Sequence, residues 1–126
     1  INQFRALGHH VITYSRRKIF GEPGTDATGE IDLFLEDGDI AILVEVKTRL
    51  KTDGILDHIE RMEKYRKCMD MSGSGAQKHY IGAVASPSVE ENVIKFAHKK
   101  GFYVIVQTGD LFEIVKPPEG FSPKTW

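Results

Sequence analysis

The feature that most constrains this chain is a pair of apolar runs on either side of a tight-turn signal. Ile31–Leu35 alternates apolar and polar residues, and Ile40–Val46 is nearly all apolar and rich in β-branched residues. Between them lies Glu36-Asp37-Gly38-Asp39. Asp-Gly flanked by such runs is among the strongest hairpin signals, because tight hairpin turns need positive φ and glycine adopts it freely. A two- or four-residue turn centred on Asp37-Gly38 pairs Leu35 with Ile40, Leu33 with Ile42 and Ile31 with Val44. Asp32 then faces Leu43 and Glu30 faces Glu45, whereas a three-residue loop would shift the register. Side chains alternate along a strand, so Ile31, Leu33, Leu35, Ile40, Ile42, Val44 and Val46 share a face, which is expected to be core. Glu30, Asp32, Glu45 and Lys47 share the opposite face. Asp32 and Glu45 become diagonal neighbours, with Cβ atoms about 7 Å apart.

Three acids on one sheet face repel one another unless something compensates. Lys47 supplies one positive charge, and a divalent cation held by Asp32 and Glu45 would supply two more. Mg²⁺ suits such a site, since it prefers oxygen ligands, keeps several waters and takes few carboxylates alongside a substrate phosphate. A nearby lysine would orient a nucleophilic water or stabilise developing charge. The plainer reading of the same spacing is a solvent-exposed strand end with Glu45 and Lys47 as a surface pair. Context favours the site: the charges end a strand that is apolar on both faces through Ala41 and Leu43, and charges are rarely placed there.

With 126 residues, 40% hydrophobic and 28% charged, the chain suits one α/β domain with a real core, residues 1–126 with a tail over 116–126. Its single Cys68 excludes an intrachain disulfide or a cysteine zinc cluster and points to a reducing, cytoplasmic setting. No apolar run approaches the roughly 20 residues that span a bilayer, so no membrane partner is expected. The net charge of −1 disfavours tight non-specific nucleic-acid binding, but the sum hides a segregation. Residues 26–45 carry seven acids and no base, between a segment with Arg5, Arg16, Arg17 and Lys18 and another with Lys47, Arg49, Lys51, Arg61, Lys64, Arg66 and Lys67.

Elsewhere the pattern predicts a helix end over residues 2–7 stopped at Gly8, a strand over His10–Ile19 and a loop over Phe20–Gly29. An amphipathic helix follows over Asp53–Met71, with Thr52 or Asp53 as N-cap. Ser72–Gly75 reads as a flexible break, and His79–Ala85 as a buried strand in which Gly82 allows close packing. Ser88 and Glu91 fit a capping box for a helix running to Lys100 and stopped at Gly101, burying Val89, Val93, Phe96 and Ala97. Strands at Phe102–Gln107 and Leu111–Val115, joined by a turn at Thr108-Gly109-Asp110, complete the order (α)βββαβαββ.

Asp32 followed by Glu45-Val46-Lys47 on the next hairpin strand resembles the core signature of the PD-(D/E)XK nuclease superfamily. The order of elements over about residues 1–107 is similar to its restriction-endonuclease-like αβββαβ core, a mixed central sheet flanked by helices. The runs Glu30-Ile31-Asp32, Val44-Glu45-Val46-Lys47-Thr48, His58–Arg66 and Ile81–Ala85 resemble uncharacterised prokaryotic members of it. The resemblance implies a Mg²⁺-dependent (or Mn²⁺-dependent) endonuclease acting on DNA. Asp32, Glu45 and the backbone carbonyl of Val46 would hold the metal, and Lys47 would assist the attacking water. It departs from the family at Ile31, where the signature has proline, and in the stub Asn2–Leu7, which offers no helix-borne glutamate; Glu30 is the candidate auxiliary ligand. Members often carry an upstream helical or coiled-coil region, and the first residue, Ile1, suggests the C-terminal part of a longer protein; a homodimer is compatible with the same reading. The competing reading is a catalytically inactive module that keeps the fold to bind DNA or dock a partner.

Arg16, Arg17, Lys18, Arg49 and Lys51 flank the carboxylates and as a group fit phosphate positioning. The histidines His9, His10, His58, His79 and His98 show no metal-binding spacing. His79 and His98 read as structural, and only His58, six residues into the helix after the motif, is placed where it could approach the site. Cys68, Tyr65, Tyr80 and Tyr103 read as packing residues.

Overall fold

In the computed structural model, residues 13–20, 29–72, 78–108 and 111–126 are described. The hairpin forms between β2 (Gly29–Asp37) and β3 (Ile40–Val46), with Asp37 paired to Ile40 across a two-residue turn. Gly38 takes φ 57° at the first turn position, where this class of turn requires positive φ. The turn is therefore centred on Gly38-Asp39 rather than Asp37-Gly38, and the register pairs Leu35 with Ile42 and Leu33 with Val44. The slip moves each residue by two positions relative to the expected pairing, so the alternation of faces survives it.

β1 (Thr13–Phe20) precedes the hairpin, and β3 is followed by α1 (Thr52–Ser72), β4 (His79–Ser86), α2 (Glu91–Lys99), β5 (Tyr103–Thr108) and β6 (Leu111–Ile114). The sheet has six strands in chain order, with β3–β4 and β4–β5 parallel and the other neighbours antiparallel. Each parallel pair needs a crossover, which α1 and α2 provide. Both crossovers step the same way across the sheet, and right-handed connections then place both helices on one face. Accordingly Ile55, Met62 and Tyr65 of α1 and Val93 and Ala97 of α2 pack in one cluster with Ala41, Leu43, Tyr80, Val84 and Val104. The other face buries Leu35, Ile42, Val44, Ile81, Ala83, Ala85, Tyr103 and Ile105, with Phe121 of the tail against them.

β3 is thus core on both sides. Two members of the expected core face behave differently: Ile31 joins the helix-side cluster, and Val46 is 50% exposed. Val46 is the last residue of its strand and lies beyond the final β2 pairing at Leu33–Val44, where the covering layer has ended. Gly82 is a close-approach position as expected, since a Cβ there would collide with the Phe102 ring.

The helix starts differ from the sequence reading. α1 already includes Thr52, so neither Thr52 nor Asp53 is its N-cap; Asp53 lies in the first turn, where its charge complements the helix dipole. The capping box of Ser88 and Glu91 does not form: α2 is capped by Glu90 in an extended conformation with no side-chain cap hydrogen bond. Val89 and Ile94 both pack against the helix-side cluster, at the N′ and N4 positions of a hydrophobic staple. Apolar docking, not a serine hydroxyl, sets this entry. The helix ends at Lys99 with Lys100 as C-cap, and Gly101 at φ 88° turns the chain as expected. The helix over 2–7 with Gly8, the first residues of the strand from His10, the loop over 21–28, the break over 73–75 and the turn residues 109–110 lie outside the described residues, as do His9 and His10.

Candidate functional site at the end of the central hairpin

Glu45 is the penultimate residue of β3 and is 5% exposed. A carboxylate buried to this degree needs partners. It has two: Arg61 Nη1 lies 2.7 Å from Oε2, and Lys47 Nζ lies 3.5 Å from Oε1. Asp32 on β2 stands one step beyond the last pairing of the hairpin, and its Oδ2 accepts a hydrogen bond from the Val46 N–H at 2.9 Å. That bond ties the two strand ends together where the ladder stops, and it turns the Asp32 carboxylate toward β3. Burial raises the pKa of Glu45 above its ordinary value; Arg61 opposes the shift, the Asp32 carboxylate adds to it and Lys47 opposes it. The two carboxylates therefore feel one another, as the shared face requires.

Arg61 comes from α1 and was not singled out from sequence, where it is one of four bases in a mixed helix. It is held in place by His58, one turn earlier. The His58 ring is fully buried, with Nε2 2.9 Å from the Leu43 carbonyl and Nδ1 3.1 Å from Arg61 Nη1. Arg61 can only donate, so Nδ1 accepts, and the ring proton resides on Nε2 and is donated to Leu43. Burial holds His58 well below the ordinary histidine range, at about 4, so at neutral pH the ring is uncharged in that single tautomer. The spacing His58-x-x-Arg61 on a helix that follows Glu45-x-Lys47 was the available signal, since residues three apart share a helix face.

Lys47 follows β3, and its N–H donates to the Ala85 carbonyl at 2.8 Å, which extends the parallel pairing just past the strand. Its side chain remains 42% exposed beside the buried glutamate. Arg49 and Lys51 are exposed and line a cavity with Thr52, Ser88 and Asn92, between the β3–α1 connection and the start of α2. A larger groove between α2 and the tail, lined by Lys95, Lys99, Lys116 and Lys124, contains none of Asp32, Glu45 and Lys47. Arg16 is opposite Leu33 and Lys18 opposite Ile31, which sets the Arg17 position beside Asp32; the side chains of these three, and that of Glu30 opposite Ile19, lie outside the described residues. His79 is exposed, while Cys68 packs against the helix-side cluster and Tyr65, Tyr80 and Tyr103 are buried, as read from sequence.

Among the described residues no group of three or more His, Cys, Asp or Glu side chains is gathered to hold a metal. The donor set at the hairpin end is two carboxylates, both oxygen ligands. That set suits a hard cation which keeps most of its own water, and not a zinc-type cage.

No protein-family model matches this sequence, and no curated protein does. Among solved structures the chain resembles a repair endonuclease from Pyrococcus abyssi, with a TM-score of 0.50 and 19% identity over 93% of this chain and 43% of that one. What they share is the fold. It is a restriction-endonuclease-like α/β fold, a mixed sheet with its hairpin and crossover helices. An EndoMS–dsDNA2 complex also aligns, with a TM-score of 0.39 and 18% identity over 82% of this chain and 38% of that one. The chain spans less than half the length of either. Among the described residues no helix is long and apolar enough to cross a membrane.

Proposed function

We propose that this chain is a PD-(D/E)XK-type, Mg²⁺-dependent nuclease domain that hydrolyses phosphodiester bonds in DNA. The observation that carries the reading is the buried Glu45 at the end of a strand apolar on both faces, beside Lys47 and next to Asp32 on the paired strand. The same residues carry the resemblance to the family signature, and the solved structure sharing the fold is itself described as a repair endonuclease. Asp32 and Glu45 would hold the cation, with the Val46 carbonyl and Glu30 as further ligands. Once bound, such an ion polarises the phosphate and lowers the pKa of a nearby water. The chain's own part is positional. The Val46 N–H fixes the orientation of Asp32. Lys47, anchored through its backbone to Ala85 with its half-exposed ammonium beside Glu45, aligns the attacking water and stabilises charge on the phosphate. Arg49 and Lys51, with the β1 bases Arg16, Arg17 and Lys18, would contact the DNA backbone without reading its sequence.

Asp32→Ala and Lys47→Ala are expected to lower Mg²⁺-dependent cleavage of duplex DNA by about 100-fold or more, with unchanged circular dichroism. Wild-type rates in either variant would reject the assignment. One observation favours a second reading, an inactive module retained for DNA binding or docking: Glu45 Oε2 is already taken by Arg61, an internal cation. The absence of any Mg²⁺ or Mn²⁺ binding, with or without DNA, would support that module.

A further inference from the structure

Arg61 touches the site in a way the nuclease reading does not use. Its Nη1 lies 2.7 Å from Glu45 Oε2, one of the two oxygens with which Glu45 could hold a cation, and the more tightly occupied of the two. The guanidinium is not there by chance of a flexible side chain. The same Nη1 donates its other proton to His58 Nδ1, and His58 is itself fixed by donating to the Leu43 carbonyl of the strand that carries Glu45. Strand, histidine, arginine and glutamate thus form a closed loop of hydrogen bonds around one carboxylate. Lys47 meets the other oxygen at a looser 3.5 Å and is the more exposed of the two bases, 42% against 23% for Arg61.

We propose that Arg61 is a resident counter-cation of the metal site, held on Glu45 by His58, so that a divalent ion binds only by displacing it. This rests on the nuclease reading, because it presupposes that Asp32 and Glu45 are metal ligands. Two effects act in the same direction. The charge-assisted hydrogen bond between Arg61 and Glu45 is lost when the ion takes Oε2, and the guanidinium charge opposes an incoming dication. The resident cation also explains how the fold tolerates a carboxylate that is 5% exposed without relying on a metal ion. Affinity for free metal is kept low, while the folded protein is kept stable without metal. Arg61 is in this sense a positioning residue, since it acts through Glu45.

The test uses Mn²⁺ alone, read by titration calorimetry on the whole chain. Arg61→Gln is expected to tighten Mn²⁺ binding roughly tenfold, the order expected for removing a charge-assisted competitor. Arg61→Lys keeps the charge but cannot span Glu45 and His58 with one fork, and is expected to fall between the two. Thermal unfolding supplies a readout that does not depend on reaction rates. Without metal Arg61→Gln melts below wild type, and Mn²⁺ restores it by a larger shift than it gives wild type. Equal or weaker Mn²⁺ affinity in a folded Arg61→Gln, with wild-type binding abolished by Asp32→Asn, overturns this inference and leaves the metal site standing. If no Mn²⁺ binds to wild type, Arg61→Gln or Arg61→Lys, the metal site itself is rejected, and the inference with it. If Arg61→Gln does not fold, Arg61→Lys decides: affinity no higher than wild type overturns the proposal.

Discussion

His58 on α1 and His98 on α2 are both buried, at 0% and 9% exposure, yet the chain uses them in opposite ways. Both ring nitrogens of His58 are engaged, one with the Leu43 carbonyl and the other with Arg61, and the ring also lies 5.1 Å from Phe102. His98 has a buried Nε2 with no hydrogen-bond partner, and its ring packs edge-on against Phe121 at 5.4 Å. A buried polar atom costs free energy unless it is paired, so full pairing at His58 specifies one ring orientation and one tautomer. The unpaired nitrogen at His98 marks a ring used for its flat surface. The fully paired histidine is the one that lies beside Glu45, through Arg61. The α2–tail end is held by apolar and aromatic packing, including Trp126 stacked on Phe102 at 5.1 Å.

The contrast breaks most readily at His58. His58→Leu leaves the Leu43 carbonyl without its donor and Arg61 without its acceptor, and is expected to cost about 3 kcal/mol in denaturant unfolding. If Arg61 is the resident counter-cation proposed above, Mn²⁺ should bind this variant more tightly than wild type, because Arg61 is no longer held on Glu45. A loss below about 1 kcal/mol would mean that His58 packs merely as His98 does.

Acid gives the next largest effect, with a defined sign. His58 is held at about 4 when folded, against 6.5 in the unfolded chain. As pH falls below 6.5 the unfolded state therefore takes up the proton first. The stability that neutral His58 confers is complete above 6.5, declines toward 4 and then levels off. A shift of that size corresponds to about 3 kcal/mol at most. His98, also lowered by burial, acts in the same sense. Glu45, whose pKa is raised, gains protons earlier in the folded state and offsets part of the loss. Unfolding at pH 7.5 and 4.5 is expected to differ by about 2 kcal/mol in wild type and by distinctly less in His58→Leu. The same difference in both proteins would refute the assignment to His58.

The smallest effect is expected at His98. His98→Phe removes a buried nitrogen that has no partner and keeps the aromatic surface against Phe121, so stability should stay within about 1 kcal/mol of wild type. A penalty above about 2 kcal/mol would show that the two histidines are held alike.

Much of the architecture was legible because its signals are local. The Asp37-Gly38 pair between two apolar runs announced the hairpin, and the placement of Asp32, Glu45 and Lys47 on one face at the strand ends followed from alternation. The two-residue slip in register did not disturb that placement, because only an odd shift exchanges the faces of a strand. The misreadings came where a local motif competed with tertiary docking. Ser88-x-x-Glu91 has the composition of a capping box, but Val89 and Ile94 are drawn to the core and the helix starts at Glu91 instead. Val46 continues the apolar pattern of β3, yet it emerges where the covering layer ends.

Arg61 was the residue least visible in advance, and His58 was visible only as a histidine near the site, not as the group that holds Arg61. Hairpin geometry and side-chain periodicity act within a few residues, and they sufficed for the strands, the helices and the acidic edge. Which helical side chain meets a buried carboxylate depends on how α1 crosses over β3, a relation between elements separated by a turn and a crossover. The partner of Glu45 was therefore settled only by packing, since a charge removed from water must find its counter-charge among whatever groups the completed fold brings within reach.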